Sequence, residues 1–214
     1  EENQAGSIFQ NVFIDYELSD KLIADKRIKA LSLTGSERAG AAVASKAGEH
    51  IKKCVLELGG SDPFIVTPGA DLKAAVVQAL TPRFQNNGQS CIAAKRFIVH
   101  ASVYDDFIES FEKGMNDKYK AGNPEKESIN LGPLARKDLM ETLSDQIKDA
   151  ESHGAKLRYS SSEIPENGFF SKPVIIENIH RNMRIYAEES FGPLASFYRY
   201  EKEEIMLHLA NDTA

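Results

Sequence analysis

KALSLTGSERAGAAVASKAGEHIKKCVLELGGSDPFIV, residues 29–66, is the stretch whose reading decides the fold class. Its hydrophobic period changes twice. KALSLT (29–34) is a short apolar run that reads as a buried strand. Gly35-Ser36 then opens an alanine-rich helix over about 37–50. KCVLEL (53–58) is a second strand, Gly59-Gly60-Ser61-Asp62-Pro63 a turn cluster, and FIV (64–66) a third short strand. Strand, turn, helix and strand in that order make the βαβ unit of a parallel sheet with helices on its faces, so the expected class is α/β.

Working outward, IFQNVFI (8–14) reads as a strand, and Ser19–Asp25 as a helix with Ser19 at its N-cap. On the other side a helix runs from an N-cap at Asp71 to about Phe84, where Pro82 should stop or kink it. NNGQS (86–90) is a loop. The alternation continues with a strand at 95–100, a helix at 102–118, a loop at 121–134 and a helix at 136–153. Strands follow near 155–159, 169–176 and 194–200, then a helix at 202–210. A change of character between about 60 and 90 marks the expected domain boundary.

Composition narrows the function. The chain has 214 residues, 27% of them charged, with a net charge of −6, and its basic pairs are scattered among acids. That argues against nucleic acid as the main partner. No uninterrupted apolar run exceeds four residues, which excludes a transmembrane helix within this sequence. Cys54 and Cys91 cannot build a disulfide framework, so the natural compartment is the reducing cytoplasm. The five histidines show no ligand spacing with either cysteine, so no metal site is expected.

Four places can carry chemistry. Gly35-Ser36 sits at a strand–helix junction, where free N–H groups and the helix dipole suit a phosphate; an ordinary turn capped by Ser36 explains the same residues. Glu57 stands at a strand end before two glycines. It is a candidate general base if desolvated in a cleft, or a surface carboxylate if not. Cys91 follows the polar, glycine-containing NNGQS loop and is a candidate nucleophile, whereas Cys54 lies inside an apolar strand and reads as packing. EESFGPL (188–194) offers carboxylates for a ribose diol and an aromatic for a flat ring, or else a solvated acidic loop.

Together, LTGSERAG, ELGGSDPFIV, NNGQSC, GPLA and EESFGPL, in that order, resemble the aldehyde dehydrogenase superfamily from about Lys29 to the last residue. GFFSKPVII (168–176) and FGPLASFYRY (191–200) look closest to its succinate-semialdehyde dehydrogenase branch. The resemblance implies the end of a Rossmann-like cofactor domain (1–60), then a three-layer α/β catalytic domain (61–214). It implies Cys91 as nucleophile and Glu57 as general base. Gly35 and Ser36 would hold the pyrophosphate of NAD or NADP, Glu189 the nicotinamide ribose, and Phe191 would lie beside the nicotinamide ring. A small aldehyde is the implied substrate, and a homo-oligomer the implied full-length state. By the same resemblance the chain is expected to be a fragment, without the family's N-terminal part and C-terminal end and inactive alone. The relatives acting on succinic semialdehyde carry Arg six residues before the nucleophile. Gln85 stands there in this chain, with Arg83 two residues earlier. A non-catalytic dinucleotide-binding or scaffold module is the alternative; it would need neither Cys91 nor Glu57.

Overall fold

A computed structural model describes residues 8–213. The chain divides into two compact units, one ending at Gly59 and the other beginning at Gly60.

The first unit contains α1 (Tyr16–Ala24), β1 (Ala30–Thr34), α2 (Glu37–Glu49) and β2 (Lys53–Glu57). β1 and β2 pair in parallel, with Leu31 opposite Cys54 and Thr34 opposite Glu57. Both strands alternate exposed and half-buried residues. The buried strand expected at 29–34 is therefore buried on one face only. Leu33 and Ala39 of α2 both lie within 4 Å of the Cβ position of Gly35, and Leu58, just past β2, fills the space beside Gly40. Residues 8–14, expected as a strand, join no sheet, and Ile8 and Phe13 are strongly exposed. An isolated apolar run has no ladder to satisfy its backbone unless another strand lies beside it. α1 begins earlier than expected because Asp15, not Ser19, caps it: the Asp15 carboxylate accepts from Leu18 N at 2.9 Å.

The second unit is an αβα layer structure. Its strands are β3 (Asp62–Val66), β4 (Ala94–His100), β5 (Lys156–Tyr159), β6 (Val174–Glu177) and β7 (Leu194–Tyr200). They form one sheet in the order β3-β4-β7-β6-β5, parallel except for the β5–β6 pair. Its helices are α3 (Leu72–Phe84), α4 (Tyr104–Lys118), α5 (Lys137–Ser152), α6 (Arg184–Ala187) and α7 (Glu203–Asn211). The central strands bury both faces, as parallel strands under two helical layers must. Phe97 and Val99 of β4 and Phe197 of β7 pack with Phe107 and Phe111 of α4, and the Phe97 and Phe197 rings lie 5.0 Å apart. Ile98 and Tyr198 point to the other side, onto Leu143 and Ile147 of α5.

Two expectations change in this unit. The strand expected at 169–176 begins only at Val174, because Pro173 has no N–H to give the ladder; its carbonyl instead accepts from Ser160 N at 2.8 Å. The four-residue α6 is too short to show a period of its own in sequence.

Candidate active site

Two groups of candidate residues emerge, one in each unit. In the first, the parallel register sets Glu57 against Thr34, and Gly35 N donates to Glu57 O at 3.0 Å. Glu57, Gly35 and Ser36 therefore meet at the carboxyl ends of β1 and β2, where open α/β sheets gather ligands. Ser36 caps α2, its hydroxyl accepting from Ala39 N at 3.3 Å. A Cβ on Gly35 would meet nothing closer than 3.8 Å, so packing does not demand glycine there. The open backbone beside a helix N-terminus is the space a pyrophosphate requires. Glu57 is exposed, the surface placement that the sequence left open beside a desolvated cleft. It shares the strand parity of Lys53 and Val55, the face that α2 does not cover.

The second group lies at the opposite kind of edge. Cys91 just precedes β4 and Glu189 just precedes β7. These strands are parallel neighbours, so both residues sit at the amino-terminal end of the sheet. α3 ends at Phe84, two residues after Pro82, and the chain turns through Asn86, Asn87 and Gly88, all with left-handed backbone. Asn and Gly are the residues that tolerate this conformation. The loop is then tied to GPLA (132–135). Asn87 accepts from Gly132 N at 2.8 Å and donates to Pro133 O at 3.0 Å, while Gln89 accepts from Ala135 N at 3.0 Å. Residues 45 and 46 positions apart are thereby tied into one structure. Beyond this rigid loop Cys91 is exposed, whereas Cys54 is half-buried on the strand face under α2. Among the described residues the Cys91 N–H meets no acceptor.

Two basic residues that sequence reasoning did not single out hold this edge together. Arg83 is fully buried at the end of α3. Its Nη2 donates to Gly88 O at 2.6 Å and to Gly192 O at 2.9 Å, and Nη1 donates to Ala94 O at 3.3 Å. Burial lowers its pKa to about 10, with Glu189 opposing the shift. A guanidinium so enclosed cannot reach a substrate carboxylate, and the nearby exposed Gln85 offers only a neutral amide. Lys95, the second residue of β4, is also fully buried. Its Nζ donates to Cys91 O at 2.9 Å and forms an ion pair with Glu189 Oε1 at 2.9 Å. Burial pushes its pKa down, and the Glu189 carboxylate pulls the other way. Lys95 shares strand parity with Phe97 and Val99, and that period of two was the signal for its burial.

The EESFGPL segment is held from both sides. Gln146 of α5 donates from Nε2 to Glu188 Oε2 at 2.9 Å and to Glu189 O at 3.1 Å. The Glu189 side chain is 24% exposed, and Lys95 holds its Oε1. Phe191, two residues further on, is half-buried. Among the described residues no three His, Cys, Asp or Glu side chains gather as a metal site, and no helix is long and apolar enough to cross a membrane.

The second unit thus brings an exposed cysteine on a pinned turn and a carboxylate together on one buried ammonium. The chain belongs to the aldehyde dehydrogenase family, whose sequence profile matches residues 8–214. It is 45% identical over 205 residues to the NADP(+) succinate-semialdehyde dehydrogenase of Mycobacterium avium, covering 96% of this chain and 43% of that protein. Among solved structures it is similar to the succinic semialdehyde dehydrogenase of Streptococcus pyogenes in complex with NADP+. That match has a TM-score of 0.89 and 40% identity, over 95% of this chain and 44% of the other. The succinate-semialdehyde dehydrogenase of Burkholderia pseudomallei aligns with a TM-score of 0.88 at 34% identity, over 94% and 42% of the two chains. The chain thus spans less than half the length of the relatives it matches.

Proposed function

We propose that this chain forms part of an NADP+-dependent enzyme that oxidises an aldehyde, succinic semialdehyde first among candidates, to its carboxylic acid through a thioester on Cys91. The observation that carries the reading is the exposed Cys91 on a turn pinned by GPLA on one side and by buried Lys95 on the other. The Cys91 thiolate attacks the aldehyde carbon. The oxygen that becomes negative lies within reach of the free Cys91 N–H, the donor a tetrahedral oxyanion needs. NADP+, when bound, would supply the hydride acceptor for the oxidation. Glu57 takes a proton from water as the water attacks the thioester carbonyl, releasing the acid and restoring the thiolate. Gly35 and Ser36 would hold the pyrophosphate, Glu189 the nicotinamide ribose, and Phe191 the ring.

Succinic semialdehyde is supported by the names of relatives 45% identical to this chain over 205 aligned residues. With Arg83 spent on three carbonyls, Gln85 is the side chain we assign to the distal carboxylate, by a neutral hydrogen bond weaker than a guanidinium pair. The proposal includes a cytoplasmic, homo-oligomeric full-length protein, the assembly being measurable by light scattering.

The test is NADPH formation by the full-length protein with succinic semialdehyde and with aldehydes lacking the second carboxylate. Turnover should be lost in Cys91→Ser and nearly kept in Cys54→Ser. Equal losses in the two folded variants would remove Cys91 from its role and favour the non-catalytic module.

A further inference from the structure

We propose that Lys95 is a positioning residue that couples the carboxylate of Glu189 to the peptide of Cys91. One buried ammonium touches both: Nζ lies 2.9 Å from Cys91 O and 2.9 Å from Glu189 Oε1. Its side chain is 1% exposed, so water cannot take the place of either partner. A buried ammonium deprived of one acceptor must move toward the other or lose its charge. Anything that draws the Glu189 carboxylate away therefore changes the hold on the Cys91 carbonyl.

The surroundings leave Lys95 little freedom to do otherwise. Arg83 is the other buried cation of this edge; its charge disfavours that of Lys95, and Glu189 is the counter-charge to both. Asp62, at the start of β3, favours the charge of Lys95 more weakly. Gly60 closes the far side, because a Cβ there would sit 3.5 Å from Cys91 O. Gln146 fixes the Glu189 backbone, and Arg83 fixes Gly192 and Gly88, so the two loops cannot drift together when the ion pair changes. The nucleophile turn and the carboxylate loop are thus joined through one buried side chain. This inference rests on the ribose role proposed above for Glu189.

The experiment is a double-mutant cycle in the full-length protein without cofactor, reading the rate of Cys91 alkylation by iodoacetamide through peptide mass mapping. Glu189→Gln should change the Cys91 rate by about threefold or more, as residues sharing a buried charge network do. In a Lys95→Met background the same substitution should leave the rate unchanged. Lys95→Gln, which can still donate to Cys91 O, serves if the methionine variant does not fold, and should abolish most of the response. A Glu189→Gln effect of equal size in both backgrounds, or no effect in either, would overturn the coupling. NADP+ affinity of Glu189→Gln, measured separately, tests the ribose role: unchanged affinity removes that role, while the alkylation cycle still decides the coupling.

Discussion

Gly88→Ala is the sharpest perturbation of the loop that carries Cys91. Gly88 has φ +73°, and a Cβ built on it would lie 2.2 Å from Gly192 O and 2.5 Å from Gly192 C. Two costs follow. Holding alanine in the left-handed region costs about 1–2 kcal/mol. Pushing the Gly192 backbone aside adds an overpacking cost of about 1–3 kcal/mol, because backbone cannot rotate away as a flexible side chain can. The same shift strains the Arg83 bonds to Gly88 O and Gly192 O. A total loss of about 2–5 kcal/mol is expected. Gly69→Ala is the matched control. Nothing lies within 4 Å of its Cβ position and its φ lies outside the left-handed range, so a gain of about 0.4–1 kcal/mol is expected. Urea unfolding of the chain, followed by far-UV circular dichroism, measures both. A Gly88→Ala midpoint equal to that of wild type, or to that of Gly69→Ala, would refute the account of this loop.

Two further perturbations test the buried charges. Arg83→Lys should destabilise by about 1.5–3 kcal/mol, since a single ammonium cannot reproduce the fork that spans Gly88 O, Gly192 O and Ala94 O, and urea midpoints report it. Glu177 is nearly buried on β6. Burial works to raise its pKa, but Arg158 at 2.6 Å and Lys156 at 3.1 Å outweigh it and hold the carboxyl below its ordinary 4.5. The unfolded chain then takes up this proton first as pH falls, so the contribution of Glu177 is complete above 4.5 and drains away below it. Glu177→Gln should therefore cost stability near neutral pH and progressively less below that value; a cost independent of pH would contradict the assignment.

Much of this architecture was legible because local chemistry and tertiary structure agree. The Gly35-Ser36 junction, the Asp71 cap and the alternation of apolar runs mark β1, α2, β2 and α3 with boundaries close to those observed. The run at 8–14 misled because its apolar character says nothing of whether another strand lies beside it. Ser19 misled because its hydroxyl donates to Asp15 O within the first turn, while the Asp15 carboxylate does the capping. At the site, Cys91 and Glu189 stood out by type and by their motifs. Arg83 and Lys95 did not, because basic residues are read as solvated unless their parity is counted. Lys95 falls in phase with Phe97 and Val99, which places it in the core. Arg83 carries no comparable mark, since its burial depends on carbonyls from segments distant in sequence, up to 109 positions away.

The most direct test of the central claim is to trap the acyl group on the enzyme. Glu57→Gln in the full-length protein should keep a rapid burst of NADPH with succinic semialdehyde and lose steady turnover by about 10²–10⁴-fold, the usual worth of general-base help. Acid quenching after the burst, followed by peptide mass mapping, should find the acyl mass on the Cys91 peptide and none on that of Cys54. Steady turnover equal to wild type, or a burst that leaves Cys91 unmodified, would contradict the account.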